Sequence, residues 1–174
     1  MTLRIIDAKK GKLTDADIWM LAEIEEHPKI AKWDTPTFKG DVEKACNGFK
    51  EFMEKLPQTD DEFLIAKLDG KIVGFVGIHR FRGEIGEMKH VGEIGIAVHP
   101  DFQKRGVGTK LLVTCLSLAK ERKFTRLEAD TLANNIAMRR LVEKVGFKLE
   151  GIRQKRFKRS GDYFDEACYA IVLD

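Results

Sequence analysis

Between Gly92 and Leu112 the chain reads GEIGIAVHPDFQKRGVGTKLL: an apolar run, a break marked by Pro100, a glycine-bearing loop, and then helical periodicity at once. A strand that feeds through Gln103-Lys104-Arg105-Gly106-Val107-Gly108 straight into a helix points to a sheet with helices packed on its faces. It also makes a place for an anion. Glycines there let the backbone come close to a bulky group, and the unpaired N–H groups of the first helical turn point out of its positive end. Lys104, Arg105 and Lys110 add charge. A phosphate or pyrophosphate suits such a site best. Two common phosphate loops can be rejected. A dinucleotide fingerprint needs a third glycine where Leu111 stands, and the pattern G-x-x-x-x-G-K-[ST] is absent. On the loop alone, a glycine-bearing turn with no ligand stays open as the plainer explanation.

The rest of the chain alternates between two periods. Leu3–Ala8 reads as a short strand. Thr14 before Asp15 and Asp17 makes an N-cap with acids in the first helical turn, and Ile18, Leu21, Ala22 and Ile24 recur at helical spacing until Pro28. Asp41 caps a second helix that ends before Pro57. Asp69-Gly70 between two apolar runs is a hairpin signal. Residues 82–89 form a loop rich in glycine and charge, and 91–98 is the next strand. A helix over 107–122, a strand over 124–129 and a helix over 135–145 follow. A terminal hairpin turns at Ser160-Gly161, with Ala167, Tyr169, Ile171 and Leu173 on one face. The order β-α-α-β-β-β-α-β-α-β-β predicts a mixed α/β fold.

Composition narrows the class. At 174 residues the chain is expected to form a single domain over 1–174. A net charge of +3 and a pI near 8.7 lack the basic excess of a general nucleic-acid binder. Cys46, Cys115 and Cys168 are odd in number and far apart, so neither a disulfide framework nor a zinc ribbon is expected. The four histidines form no metal-binding pair, and no apolar run reaches the ~20 residues of a membrane span. These features predict a cytoplasmic, soluble protein with no metal and no membrane or nucleic-acid partner.

The flanks of the loop carry a resemblance. Val98-His99-Pro100, then Gln103-x-x-Gly106-x-Gly108, then Asn135 leading a helix through Leu141-Val142-Glu143-Lys144 to Gly146-Phe147, is similar to the GNAT superfamily of acetyl-CoA-dependent N-acetyltransferases. Glu150-Gly151-x-Arg153 and Gly161-x-Tyr163-x-Asp165-Glu166 resemble the branch that acetylates ribosomal-protein N-terminal amines and many small amines. The resemblance implies a mostly antiparallel sheet of about seven strands with four helices. It further implies that the backbone of Ile96, Ala97 and Val98 pairs with the pantetheine arm of acetyl-CoA. Gln103 opens the loop, and the N–H groups of Lys104, Arg105, Gly106, Val107, Gly108 and Thr109 hold the pyrophosphate. Asn135 bonds the arm or the thioester region, and Lys144 either reaches a phosphate or is a solvated helix charge.

The implied reaction is attack of a neutral amine on the thioester through a tetrahedral intermediate. An amine is mostly protonated near neutral pH, so a carboxylate is the natural base. Glu93 is the first candidate, either as base or as a carboxylate that only orients the ammonium. The family's usual general acid is a tyrosine after the apolar position filled by Leu141; this chain has Val142 there, and Met138 nearby cannot replace it. Tyr163 is the candidate acid on the terminal strands, with Tyr169 as the other phenol. On the acceptor side the expected residues are Trp33, Glu26 and Asp165, with Glu23, His27, Asp34 and Glu166 around them; acids and aromatics suit a cationic amine. The partner is then a small-molecule amine or a protein N-terminus, and a homodimer is possible through the last strand's edge. The basic run Lys148, Arg153, Lys155, Arg156, Lys158 and Arg159 either guides an acidic peptide or ribosomal surface or, the favoured reading, shields the hairpin edge from edge-to-edge pairing. A non-catalytic acyl-CoA-binding module stays open as the second reading.

Overall fold

A computed structural model describes residues 2–33, 38–80 and 86–173. Seven strands form one sheet: β1 (Leu3–Asp7), β2 (Glu62–Leu68), β3 (Lys71–Arg80), β4 (Val91–Val98), β5 (Arg126–Leu132), β6 (Lys148–Arg159) and β7 (Asp162–Val172). Their spatial order is β1-β2-β3-β4-β5-β7-β6, and every pair is antiparallel except β4–β5. Among the described residues there are five α-helices, α1 (Asp15–Glu26), α2 (Pro28–Ala31), α3 (Val42–Lys55), α4 (Val107–Glu121) and α5 (Ile136–Lys144). Among the described residues no helix is long and apolar enough to cross a membrane.

Local chemistry accounts for most boundaries. Thr14 accepts from the Asp17 N–H while Asp17 accepts from the Thr14 N–H, so α1 starts in a reciprocal cap. Asp41 accepts from the Lys44 N–H and starts α3. Asp69 and Gly70 both take positive φ, as do Ser160 and Gly161, which suits tight hairpins joining twisted strands. The helix count differs from the expected four for one reason. Pro28 ends α1 but also begins the one-turn α2, where its missing N–H costs nothing and His27 Nδ1 accepts from Lys29. The expected loop over 82–89 is covered only in part, since 81–85, like 34–37, lie outside the described residues.

Helices α1 and α3 cover one face of the sheet, with Leu21, Ile24, Ala45 and Phe49 against Phe63, Ile65 and Phe75. Helix α4 covers the other, its Val107, Leu111, Leu112 and Cys115 packed with Leu64, Val76, Ile94, Leu127 and Tyr169. Leu111 and Leu112 are completely buried. Such burial is worth about 1.5–3 kcal/mol per side chain, and it holds the start of α4 against the sheet. Strand β6 is the outer edge and is exposed along nearly its whole length, with two register shifts against β7.

Candidate active site

Parallel strands β4 and β5 pair only from Val91–Glu93 to Arg126–Glu128. Beyond Glu93 the two strands have no ladder between them, and the gap opens into a cleft of about 670 Å³ that passes from the loop before α4 to the face covered by α1 and α2. Ile96, Ala97 and Val98 line it. On their other side they pair with β3, so that half of β4 is a sheet edge facing the cleft.

At one end lies the start of α4. Gly106 is its N-cap with φ +82°, Lys104 also has positive φ (+58°), and no side chain caps the helix. The first N–H groups of an α-helix have no partner inside the helix, and here they face the cleft with the positive end of the helix dipole. Gln103 donates from its amide to the Val98 carbonyl at 2.9 Å, which ties the loop to β4. A Cβ at Gly108 would stand 3.0 Å from Leu141 Cδ2, a tight contact that a side chain here would relieve only by shifting Leu141. Lys104, Gly106, Gly108, Thr109 and Lys144 line the cleft, as does Arg140, which the sequence did not single out. Arg105 and Val107 offer backbone only. The Arg105 guanidinium lies 5.5 Å from the Phe102 ring centroid, and the Val107 side chain is in the core. Asn135 lines the cleft but is busy: it caps α5 through Met138 and donates to Thr131 Oγ1 at 3.1 Å. One amide N–H remains for a ligand.

Glu93 sits where the strands part. Burial first, and then repulsion from Asp130, hold its carboxyl above the usual range, with His79 pulling the other way. Asp130 is raised too, by burial and then Glu166, although Arg153 reaches it at 2.8 Å. Asp130, Glu166 and Cys168 come close enough to one another to share a metal ion, but Arg153 bridges the two acids at 2.8 Å each and Arg156 reaches Glu166 at 3.3 Å, so guanidinium groups already hold the carboxylates.

Several sequence expectations need correction. Tyr163 is 54% exposed at the hairpin tip, between Lys155 and Lys158, and does not line the cleft. Tyr169 is 1% exposed, its hydroxyl donating to Glu143 at 2.6 Å and accepting from Arg139 at 2.9 Å. Neither tyrosine of the chain therefore faces the site, and Val142 is fully buried in the core. Glu26 is also buried, and its carboxylate accepts the Phe38 and Gly40 N–H groups. It anchors the segment after α2, and its neighbour Glu25 lines the cleft instead. Asp165 accepts the Lys155 N–H at 2.8 Å, holding a bulge of β6 away from the cleft. Trp33 does line it, with Phe63, Phe75 and His79, which the sequence reading missed; Asp34 lies outside the described residues. The thiols are poor nucleophiles: burial pushes Cys115 up to about 12 and also raises Cys168.

Comparison with known proteins agrees with this geometry. YnaD of Bacillus subtilis, an uncharacterized N-acetyltransferase, is 28% identical over 102 residues, 58% of this chain and 57% of that protein. The N-alpha-acetyltransferase RimI of Mycobacterium tuberculosis is 30% identical over 151 residues, 87% of this chain and 85% of its own length. In fold, the chain superposes on yncA of Salmonella typhimurium, solved with its cofactor acetyl-CoA, with a TM-score of 0.82 at 19% identity, covering 100% of this chain and 95% of that one. The model of the acetyltransferase (GNAT) family matches residues 21–147, so the chain belongs to that family.

Proposed function

We propose that residues 1–174 act as one N-acetyltransferase domain that moves the acetyl group of acetyl-CoA to a primary amine. The observation that carries this reading is the continuity of the cleft. One opening joins the uncapped start of α4 to the partly buried Glu93 through the gap between β4 and β5. The donor's pyrophosphate lies on the N–H groups of 104–109 with Lys104 and Lys144 beside it, and its arm runs along Ile96–Val98 as an added strand. Asn135 offers its remaining N–H to the arm.

The acceptor enters from the face of α1 and α2, past Glu25 and the Trp33, Phe63 and Phe75 rings. Carboxylates and aromatic faces both attract an ammonium, so a small-molecule amine or a protein N-terminal amine fits this end. Glu93 pairs with the ammonium and accepts its proton, directly or through water. The freed amine attacks the thioester carbonyl, and the tetrahedral intermediate collapses with release of the thiolate. With no phenol in the cleft, the leaving sulfur takes its proton from the reacting nitrogen.

Thiol release from acetyl-CoA with a panel of small amines and N-terminal peptides tests the reading. Amine-dependent release is the expected result. Tight binding of acetyl-CoA with no release for any amine would favour the second reading, a non-catalytic acyl-CoA-binding module, which the buried Val142 and the absence of both tyrosines from the cleft support.

A further inference from the structure

Resting on the acetyl-transfer reading, we propose that the proton leaving the acceptor amine is passed from Glu93 to His79 and out to solvent, with Asp61 holding the His79 ring for that task. His79 faces the cleft from β3, and neither it nor Asp61 is part of the donor site.

His79 on β3 is directly opposite Glu93 on β4, and both line the acceptor end of the cleft. Residues opposed in this way hold their Cβ atoms about 5 Å apart on one face, within reach of a direct or water-mediated contact between the two side chains. His79 Nδ1 is 3.2 Å from Asp61 Oδ2, and Asp61 is itself fixed by the Arg80 N–H at 3.2 Å. A carboxylate only accepts, so Nδ1 carries the proton in the neutral ring and Nε2 keeps a free lone pair. Nε2 leans over Gly77, where a Cβ would stand 3.1 Å from it. Gly77 pairs with Gly95, and a Cβ at Gly95 would meet nothing within 4 Å, so the ring looks onto an open part of the cleft. The Phe52 ring of α3, 6.1 Å away, packs on the other side of the imidazole. Among the described residues, the charged groups placed beside the ring are Asp61, ahead of β2, and Glu93 on β4. Half of the His79 side chain is exposed, which leaves a path for the proton into water.

The chemistry needs such a sink. A primary ammonium carries three protons and the amide product keeps one. The first passes from the ammonium to Glu93, then to Nε2, then to solvent, and the freed lone pair forms the N–C bond. When the C–S bond breaks, its electron pair leaves on sulfur, which takes the second proton from the nitrogen. An imidazole backed by a carboxylate is better matched to this transfer near neutral pH than a carboxylate alone, because Brønsted behaviour favours a base that titrates near the working pH.

The test is the pH dependence of kcat for wild type, H79Q and D61N, with acetyl-CoA affinity measured alongside. Wild-type kcat should rise with pH along an acid limb as the relay gives up its proton. In H79Q the plateau should fall by about 10²-fold and the rising limb should move toward the carboxylate range, with acetyl-CoA affinity unchanged. In D61N the limb should move the same way by a smaller amount. An acceptor amine already neutral at pH 7 should narrow the gap between H79Q and wild type, whereas a merely structural histidine would leave limb and gap alike for both amines. Superimposable wild-type and H79Q profiles would overturn the proposal while leaving acetyl transfer intact. No amine-dependent turnover by wild type would remove the acetyl-transfer reading and this one with it.

Discussion

The Gln103 side chain reaches back over the turn and donates to the carbonyl of Val98 at 2.9 Å. That bond joins the last residue of β4 to the loop before α4, so the strand edge and the helix start that together line the cleft are held in one geometry. It closes a five-residue detour through Pro100, which no backbone ladder spans.

Replacing Gln103 with alanine should therefore weaken acetyl-CoA binding by about 5-fold, the equivalent of the ~1 kcal/mol that one hydrogen bond contributes net. Isothermal titration calorimetry reads this directly. Affinity unchanged within twofold would mean that the loop keeps its shape without the tie.

Gly106 is at φ +82° at the end of the cleft proposed to hold the donor, with open space where a side chain would stand. A glutamate there would be strained by about 1–2 kcal/mol in the left-handed region and would place a negative charge before the helix start. Gly106→Glu should lower acetyl-CoA affinity at least 10²-fold while the folded protein persists by circular dichroism. Normal affinity in that variant would show that the pyrophosphate lies elsewhere.

Glu93 stands against burial and the charge of Asp130, so its folded pKa is raised above the unfolded value of 4.5. The folded protein thus binds that proton more readily than the unfolded chain, and the charged carboxylate costs stability at neutral pH. The cost is relieved as pH falls through the folded value toward 4.5. Glu93→Gln should raise the Tm at pH 7, and its advantage over wild type should shrink by pH 5, while kcat/KM for the amine drops about 10²-fold. A Tm difference that does not vary with pH would contradict this account.

Tyr163 is held between two lysines at the hairpin tip, away from the cleft. Tyr163→Phe should leave kcat within about twofold of wild type, since removing an exposed hydroxyl disturbs no buried partner. A loss of tenfold or more in steady-state thiol release would mean that the hairpin tip reaches the reacting atoms during turnover.

What could be read from the chain was local. The strand, loop and helix around Gly106, the caps at Thr14 and Asp41, and the turns at Asp69-Gly70 and Ser160-Gly161 each depend on residues within a few positions of one another, where propensity and hydrogen-bond geometry decide. The donor end of the site belongs to this class. The acceptor end does not. Glu26 and Glu25 differ by one position on a helix, and which of them meets the cleft depended on the backbone of Phe38 and Gly40 coming round to claim the other. Asp165 was drawn to a bulge that only the pairing of β6 with β7 creates.

By itself, then, the sequence determined the order of the strands and longer helices and the glycine-bearing loop that opens α4, because short-range chemistry specifies both. The parting of β4 from β5 just past Glu93, and the pairing that sets His79 opposite it, were decided by the tertiary structure. Register and strand separation are set by the packing of α1, α3 and α4 on both faces of the sheet, a property of many distant side chains acting together.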